Sequence, residues 1–394
     1  MKNVFKQLPA TVALATLSMP VWAGADVADL EARLEALESE QSVQAGVIPG
    51  GGGFYIEDED FRLRTLGYIQ AQGEAFDGTL DRDSSRDFTV RRARINFLVD
   101  MYDDFEFFLE LDGAPGGRTA MVEARLNWQI VDEALQLRFG KFTSQFSTEN
   151  ARSSRSIDTI ERYLALNSMF LLPALDTQFG VMAHGRLGEQ QTWEYSLGLY
   201  NGNSSANVNE RDNNDDKEVQ ATLSYHWTPQ LQTGVSTSYT REQEQTLSLV
   251  DAGFNTFTSV EVDGNRRGLG ADFFWHRGPW SLRGEGMHFR FAGSEHDRAE
   301  LSGGFIQPAW FISGNENGGT QLLLRGETAR LSGATGGDGD TLHALTAGVN
   351  WFVNPNVRLQ ANAIASHFDG GSSEQGFTGS RTLGSLLTQL QFKF

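Results

Sequence analysis

Residues 90–100 read VRRARINFLVD, and apolar and polar side chains alternate along this stretch. In an extended chain, Ile95 and Phe97 fall on one face and Arg92 and Arg94 on the other. Alternation with a period of two predicts a β-strand that has one apolar face and one charged face.

The same alternation recurs in residues 105–112 (FEFFLELD), 122–129 (VEARLNWQ) and 219–227 (VQATLSYHW). A β-sandwich alternates as well, but its strands are short and its charges face only outward. Here the polar face is charged on strand after strand, and counting the segments gives about sixteen strands. We therefore predict an all-β fold, a transmembrane antiparallel β-barrel over residues 61–394.

Two further patterns favour a membrane barrel over a sandwich. The aromatic residues at predicted strand ends suit the interfacial girdles of such barrels; they are Trp128, Tyr200, Trp227, Trp275, Trp280 and Trp351. Tight turns are predicted at Pro229-Gln230 and Asn354-Pro355-Asn356, and long loops near 201–217, 241–266 and 331–340. The last residues, Leu386, Thr388, Leu390, Phe392 and Phe394, share one face, an ending that resembles the signal read by the barrel-insertion machinery.

The first sixty residues predict export and a short helical segment before the barrel. Lys2 and Lys6 precede an apolar run and the small residues of VWAGA, which predicts a signal peptide over 1–25, cleaved after Ala23 or Ala25. Residues 26–45 predict a periplasmic coiled-coil segment, because Val27, Leu30, Leu34 and Leu37 alternate spacings of three and four. A single amphipathic helix remains the alternative. The glycines at 50–53 predict that residues 46–60 form a linker.

Composition excludes several classes of partner and site. The formal net charge is -19, and removal of the two lysines of the signal peptide makes it -21, so no basic face is available for nucleic acid. The chain has no cysteine, which excludes disulfides and thiolate metal sites. The seven histidines are scattered, and the acidic residues 57–60 and 213–216 lack the pattern of a calcium loop. We assign no cofactor and no metal.

Four segments together resemble the phosphate-selective porin O and P family. They are RRARINF (91–97), LRFGKF (137–142), SSRSIDTIERYL (153–164) and HALTAGVNWFVNPNVRLQANAI (343–364). The resemblance runs from about residue 60 to the C-terminus. It implies a homotrimer of sixteen-stranded barrels in the bacterial outer membrane, each with a narrow pore that selects small anions such as phosphate or polyphosphate.

The resemblance also implies a set of pore residues. Arg92 and Arg162 match family arginines of the central binding zone, and Arg64 stands where a lysine is usual. Two positions depart from the family: Tyr68 stands where an arginine is expected, and Asn150 where a lysine is expected.

The segment after Lys141 is predicted to fold into the lumen as the third loop, residues 142–176. It holds Arg152, Arg155 and Arg162 against Glu149, Asp158, Glu161 and Asp176. The charges predicted to line the wall also nearly cancel, so selectivity depends on the few that reach the narrowest point.

Two interpretations of the wall arginines remain open. Arg92 and Arg94 either bind the solute or form cross-strand ion pairs with Glu106 and Glu110 that stiffen the wall. In the first case the chain is an anion porin, and in the second a general or weakly selective porin for other hydrophilic solutes. In both, outer-membrane lipid and lipopolysaccharide surround the barrel.

Two functions from other classes fit the sequence less well. An outer-membrane enzyme would need a nucleophile and a base on one surface, and His184 with a nearby serine is the only pair conceivable; no serine lies in a recognisable motif. An adhesin would use the long acidic loops. A high-affinity active transporter needs a plug domain and many more strands, for which the chain has no room.

Overall fold

The computed structural model describes residues 43–49, 52–76, 85–114, 119–171, 175–188, 190–202, 215–254, 256–293, 298–333, 339–370 and 379–394. Its strands are β1 (Gln44–Ile48), β2 (Gly53–Glu57), β3 (Phe61–Phe76), β4 (Ser85–Met101), β5 (Phe105–Asp112), β6 (Ala120–Val131), β7 (Leu135–Thr143), β8 (Thr177–Leu187), β9 (Trp193–Tyr200), β10 (Glu218–Thr228), β11 (Leu231–Val250), β12 (Thr256–Arg277), β13 (Trp280–Ala292), β14 (Ala299–Asn315), β15 (Gly318–Ser332), β16 (Asp340–Asn354), β17 (Val357–Gly370) and β18 (Gly379–Lys393). Two helices lie between β7 and β8, α1 (Thr148–Ala151) and α2 (Leu164–Leu171). The predicted signal peptide and coiled-coil helix fall almost wholly outside the described residues.

Strands β3–β18 close into an antiparallel barrel of sixteen strands. Each strand pairs with the next, and β18 pairs back with β3, from Ser385↔Phe76 to Lys393↔Tyr68. Closure leaves no free sheet edge, so the backbone N–H and C=O groups of the strands are paired within the barrel. The predicted fold class is confirmed.

The predicted linker over 46–60 is wrong for most of its length, because β1 and β2 form a hairpin that pairs with the start of β3. Strand β18 reaches only Tyr68 on β3, which leaves the first residues of β3 without that partner, and β2 takes its place from Phe54↔Thr65 to Glu57↔Arg62. Gly53 makes the approach possible: its φ is 81°, and a Cβ there would lie 2.0 Å from the carbonyl oxygen of Thr65. The glycine run thus serves a tight turn.

The two ends of the barrel differ as predicted for an outer-membrane protein. Short turns join β4 to β5, β10 to β11 and β16 to β17, and we call this end the short-turn end. Tryptophans cluster at the strand ends there; they are Trp128, Trp193, Trp227, Trp275, Trp280, Trp310 and Trp351. Tyr200 was predicted to join them, and this was wrong: it is 1 % exposed and packs inside against Phe142 at the opposite end of β9.

The predicted long loop over 241–266 is also wrong, because β11 and β12 extend through most of it as one long hairpin. Their pairing runs from Leu231↔Trp275 to Val250↔Thr256. The polar residues of this stretch misled the prediction: many of them lie on the outward face, while Glu242 and Arg266 form a buried ion pair inside. Leu247, Leu249 and Val262 alternate with the outward-facing residues and are fully buried inside the barrel.

In the half of the lumen away from the short-turn end, apolar side chains therefore form much of the wall along β11–β18, where a charged wall was expected. Side chains from these strands surround α2 in one cluster that includes Leu166, Met169, Phe289, Leu301 and Leu331. Burying this apolar surface is what holds the helix inside the barrel. Among the described residues, no helix is both long enough and apolar enough to cross a bilayer.

Candidate pore constriction

The segment between β7 and β8 folds into the lumen as predicted, and we call residues 144–171 with 175–176 the inner loop. Its helix α2 begins against the wall, where Glu327 of β15 accepts a hydrogen bond from the backbone N–H of Leu164 at 2.9 Å. A carboxylate at this position satisfies a helix N–H that has no partner within the helix. Gly303 of β14 lets the helix come close, since a Cβ there would lie 2.6 Å from the Cβ of Ala165.

Two wall arginines hold the inner loop. The guanidinium of Arg325 donates to both carboxylate oxygens of Glu149, at 3.0 and 3.1 Å, and to the carbonyl of Glu161 at 3.3 Å. Arg358 donates to the carbonyls of Ile157 and Arg155 at 3.0 and 3.1 Å. Both arginines are almost fully buried, so their hydrogen bonds to the loop replace those to water.

Amide side chains from the wall complete the attachment. Asn350 and Gln360 both donate to the carbonyl of Asp158, at 2.8 and 3.0 Å. Asn362 accepts from the N–H of Ile160 at 2.8 Å, and Gln70 of β3 donates to the carbonyl of Ser154 at 3.2 Å. The loop is thus tied to the wall along its backbone and forms a fixed partition of the lumen.

Tyr163 and Glu285 add a buried contact between the loop and β13. The hydroxyl of Tyr163 donates to Glu285 at 2.7 Å, and the second oxygen of that carboxylate accepts the N–H of Glu149 at 3.0 Å. Burial and the neighbouring Glu285 raise the pKa of Tyr163 well above its ordinary value, so the hydroxyl keeps the proton that it donates.

The inner loop leaves a cavity of about 620 Å³ against the wall formed by β3–β7. Seven of the eight predicted pore residues line it, namely Arg64, Arg92, Arg94, Asn150, Arg152, Arg155 and Arg162. In all, eight arginines and six carboxylates face this space, an excess of two positive charges. The eighth residue, Tyr68, is absent from the lining.

The wall arginines of the cavity are paired with carboxylates. Arg64 contacts Asp100 at 3.0 Å, and Arg94 contacts Glu110 at 2.6 Å and Asp112 at 2.9 Å. The guanidinium of Arg125 contacts Glu106 at 2.7 Å and Glu123 at 3.2 Å. Arg94 thus forms cross-strand ion pairs, with Asp112 in place of Glu106 as the second partner.

Arg92 has a different environment. Its side chain is 7 % exposed and donates to the amide oxygen of Gln70 at 2.9 Å. The nearest carboxylate belongs to the inner loop, with Glu161 at 3.9 Å. The charge of Arg92 is thus balanced by a carboxylate of the inner loop, on the other side of the cavity.

Arg162 and Asn150 hold the inner loop together. The guanidinium of Arg162 donates to the carbonyls of Glu149, Asn150 and Arg152 at 2.9–3.4 Å, and to the hydroxyl of Ser154 at 3.2 Å. The amide of Asn150 donates to the carbonyls of Ser144 and Leu175. These bonds close the loop on itself, while both residues still face the cavity.

The remaining loop arginines differ in their partners. Arg152 lies 3.6 Å from Asp158, which Arg283 of β13 also approaches at 3.5 Å. Burial alone would raise the pKa of Asp158, but these arginines outweigh it and hold the pKa below its ordinary value. Arg155 and Arg162 have no carboxylate within ion-pair distance in the described part of the chain. They are the two arginines of the cavity that lack such a partner.

Tyr68 lies in the wall beneath Arg94. Its ring is fully buried and 5.9 Å from the guanidinium carbon of Arg94, and its hydroxyl has no hydrogen-bond partner among the described residues. Tyr68, which stands where the family has an arginine, therefore fills space in the wall and places no charge in the lumen.

The alternation along β4 could not identify Arg91. The register between β3 and β4 shifts between Gln70↔Arg92 and Ala71↔Val90, so the chain bulges at Arg91. A bulge turns two successive side chains toward one face, and Arg91 joins Arg92 in the lumen. The adjacent arginines were visible in the sequence, but only the strand pairing reveals the bulge.

A second cavity of about 480 Å³ lies between the inner loop and β6–β12, nearer the short-turn end. Its charged lining is Arg138 and Arg186 against Glu133, Glu194 and Asp272. His184 lies here too, with its Nε2 2.7 Å from the side-chain oxygen of Asn127. Ala151 lines both cavities, so the two spaces meet at the loop.

Comparison with known proteins gives one family and many similar folds. The family model described as phosphate-selective porin O and P matches residues 64–394. No curated protein matches the chain. Among solved structures, an anion-selective porin from Comamonas acidovorans is 9 % identical, with a TM-score of 0.63 over 85 % of this chain and 100 % of that one.

Two further structures have the same fold. The trimer form of OmpT from Vibrio cholerae is 10 % identical, with a TM-score of 0.61 over 85 % of this chain and 100 % of its own. The outer-membrane channel DcaP of Acinetobacter baumannii is 11 % identical, with a TM-score of 0.60 over 87 % of this chain and 100 % of its own.

Proposed function

Since the chain belongs to the phosphate-selective porin O and P family, we propose that it conducts small hydrophilic anions, with phosphate foremost, along the cavity between the inner loop and β3–β7. It is a passive diffusion channel of the bacterial outer membrane. The cavity runs from Arg64, near the short-turn end of β3, to Phe254 in the loop between β11 and β12. It therefore extends along most of the barrel axis.

The observation that carries the anion preference is the excess of arginine over carboxylate in this cavity. Among these arginines, Arg155 and Arg162 are the two whose charges have no ion-pair partner among the described residues. In a narrow passage, a few like charges at the constriction decide which ions enter. The other arginines enlarge the local positive potential only slightly, because each is beside a carboxylate.

A general or weakly selective channel is the second candidate. The pairing of Arg64, Arg94 and Arg125 with wall carboxylates favours it, since paired charges select little. The two candidates differ in how strongly the channel prefers anions over cations, and one measurement of ion selectivity separates them.

The test is the reversal potential of the purified protein in a planar bilayer under a potassium chloride gradient. We expect a potential of the sign given by chloride preference, reduced in Arg155→Gln. Arg267→Gln, which removes the same charge from the outer face over Tyr239, is the matched control and should match wild type. A potential near zero would favour the second candidate, and absence of conductance from folded barrels would contradict the channel itself.

The proposed assembly is a homotrimer. Its support is an apolar recess on the outer face over β16–β18, β3 and β4, lined in part by the small residues Ala71, Gly73 and Ala361. Phe88 stands at this recess with 93 % of its surface exposed, which a neighbouring subunit would cover. Chemical cross-linking in detergent should give a three-subunit species, and Phe88→Glu should reduce it.

The other predictions extend this proposal. A cleaved signal peptide and a coiled coil at residues 26–45 would deliver the chain and add a contact at the trimer axis. Lipid and lipopolysaccharide would cover the rest of the outer face.

A further inference from the structure

Arg91 and Arg92 form a pair of adjacent cationic side chains in the lumen. The bulge in β4 turns both of them inward, and they meet one carboxylate, that of Glu161. Arg91 donates to it through two atoms, Nε at 2.8 Å and Nη2 at 3.3 Å. The Nη2 of Arg92 lies at 3.9 Å, and the amide of Gln72 at 3.5 Å.

These groups are the kind that bind a small oxyanion. Two guanidinium groups and an amide converge on one pair of oxygens, and guanidinium groups bind carboxylate and phosphate in the same two-atom geometry. Burial alone would raise the pKa of Glu161, but the two arginine charges outweigh it and keep the pKa below its ordinary value. Glu161 is therefore an anion at neutral pH.

The geometry points to Glu161 as a built-in anion that occupies an oxyanion site formed by Arg91, Arg92 and Gln72, and so determines the specificity of the pore. With the carboxylate in place, the site is filled, and phosphate passes without being held. This inference rests on the proposed function, because it assumes that anions reach the cavity. It identifies the residue that sets how strongly they are retained.

Glu161 differs from the wall carboxylates of the cavity in its origin. Glu106, Glu110 and Asp112 lie on the same wall as the arginines that they pair with, whereas Glu161 extends from the inner loop. Its backbone is held from the opposite side, where its carbonyl accepts from Arg325 at 3.3 Å. Replacing the carboxylate with an amide therefore removes the built-in charge from the site while the loop remains attached.

The experiment compares wild type, Glu161→Gln and Glu106→Gln in planar bilayers, with inorganic phosphate titrated against the chloride current. Glu106→Gln is the matched control, because it removes one carboxylate from the same cavity and leaves Arg125 beside Glu123 at 3.2 Å. We expect phosphate to block the chloride current of Glu161→Gln saturably. The phosphate concentration that gives half-block should be at least about tenfold lower than in wild type or Glu106→Gln, because one charge-assisted hydrogen bond contributes about a tenfold change in affinity. Glu106→Gln should change only the reversal potential.

A folded, conducting Glu161→Gln channel without block would overturn the inference and leave the channel function intact. Equal block in both variants would also overturn it, because the effect would then come from net charge alone. Heat-modifiable electrophoretic mobility establishes folding in each case. If Glu161→Gln does not fold, Glu161→Ala applies the same test, since it also removes the negative charge. The double variant Glu161→Gln with Arg91→Gln should no longer be blocked by phosphate.

Discussion

The two walls of this barrel use arginine in opposite ways. On β13–β18, Arg325 and Arg358 are almost fully buried and donate to the inner loop, to its carbonyls and to Glu149. On β3–β7, Arg64 and Arg125 face the cavity and pair with carboxylates of the wall itself. The first wall holds the partition in place, and the second forms the passage beside it.

The difference lies in what each charge loses when its partner is removed. A buried guanidinium that has exchanged water for protein acceptors leaves a buried group unpaired if either partner is changed. An arginine beside an aqueous cavity can bind water or a passing ion instead. The first wall should therefore respond to mutation in stability and the second in selectivity.

The largest effect is expected at Arg325, which joins β15 to Glu149. Arg325→Met leaves the Glu149 carboxylate buried without its cation, at a cost of about 3–5 kcal/mol. We expect a lower unfolding temperature on heat-modifiable electrophoresis and noisy, enlarged single-channel conductance, because the loop loses its attachment.

The double variant Arg325→Met with Glu149→Gln provides the control for this prediction, since it removes both charges together. Stability should return in part. A single variant as stable as wild type would mean that the inner loop is held by its apolar contacts alone.

A smaller loss is expected from Tyr163→Phe. The change removes the hydroxyl that donates to the buried carboxylate of Glu285 at 2.7 Å, which costs about 1–3 kcal/mol. The denaturant midpoint of folded barrels in detergent should fall, while selectivity stays near wild type. Tyr102→Phe, at a side chain that is 58 % exposed in a turn, should have no effect, and equal losses in both would refute the argument.

The smallest effect on stability is expected at Arg64, where the change should act on selectivity instead. Arg64 and Asp100 are 29 % and 38 % exposed, and such pairs contribute up to about 1 kcal/mol. Arg64→Gln should therefore fold normally and move the reversal potential toward cations, with Asp100→Asn moving it the other way. If instead Arg64→Gln destabilised the barrel as much as Arg325→Met, the contrast between the two walls would fail.

Part of the candidate site followed from alternation, because parity along a strand decides which side chains face the lumen. Arg64, Arg92 and Arg94 line the cavity for this reason. The four other predicted residues that line it belong to the inner loop, where parity does not apply, and were named from the family resemblance and from the charges of that loop. The partners of these residues did not follow from parity. Arg162, predicted to contact solute, directs its donors to the carbonyls of its own loop, and Tyr68 lies beneath Arg94. Whether the lining residues bind solute remains a proposal.

The failures share a cause. Parity assumes an unbroken strand, and the bulge at Arg91 breaks it. Polarity suggested a loop over 241–266 and glycine a linker over 46–60, yet both stretches form hairpins whose strands pair with each other or with the start of β3. Composition alone does not reveal this pairing.

The sequence by itself determined the barrel and its approximate number of strands, because a period of two and the spacing of turns are local properties of the chain. Its resemblance to the family indicated the loop that enters the barrel. Only the tertiary structure decided which wall holds the loop and which faces the passage. That choice depends on contacts such as Arg325 with Glu149 and Arg91 with Glu161, which join residues far apart in sequence. Whether an arginine anchors the loop or faces a solute follows from the acceptors that closure of the barrel brings to it.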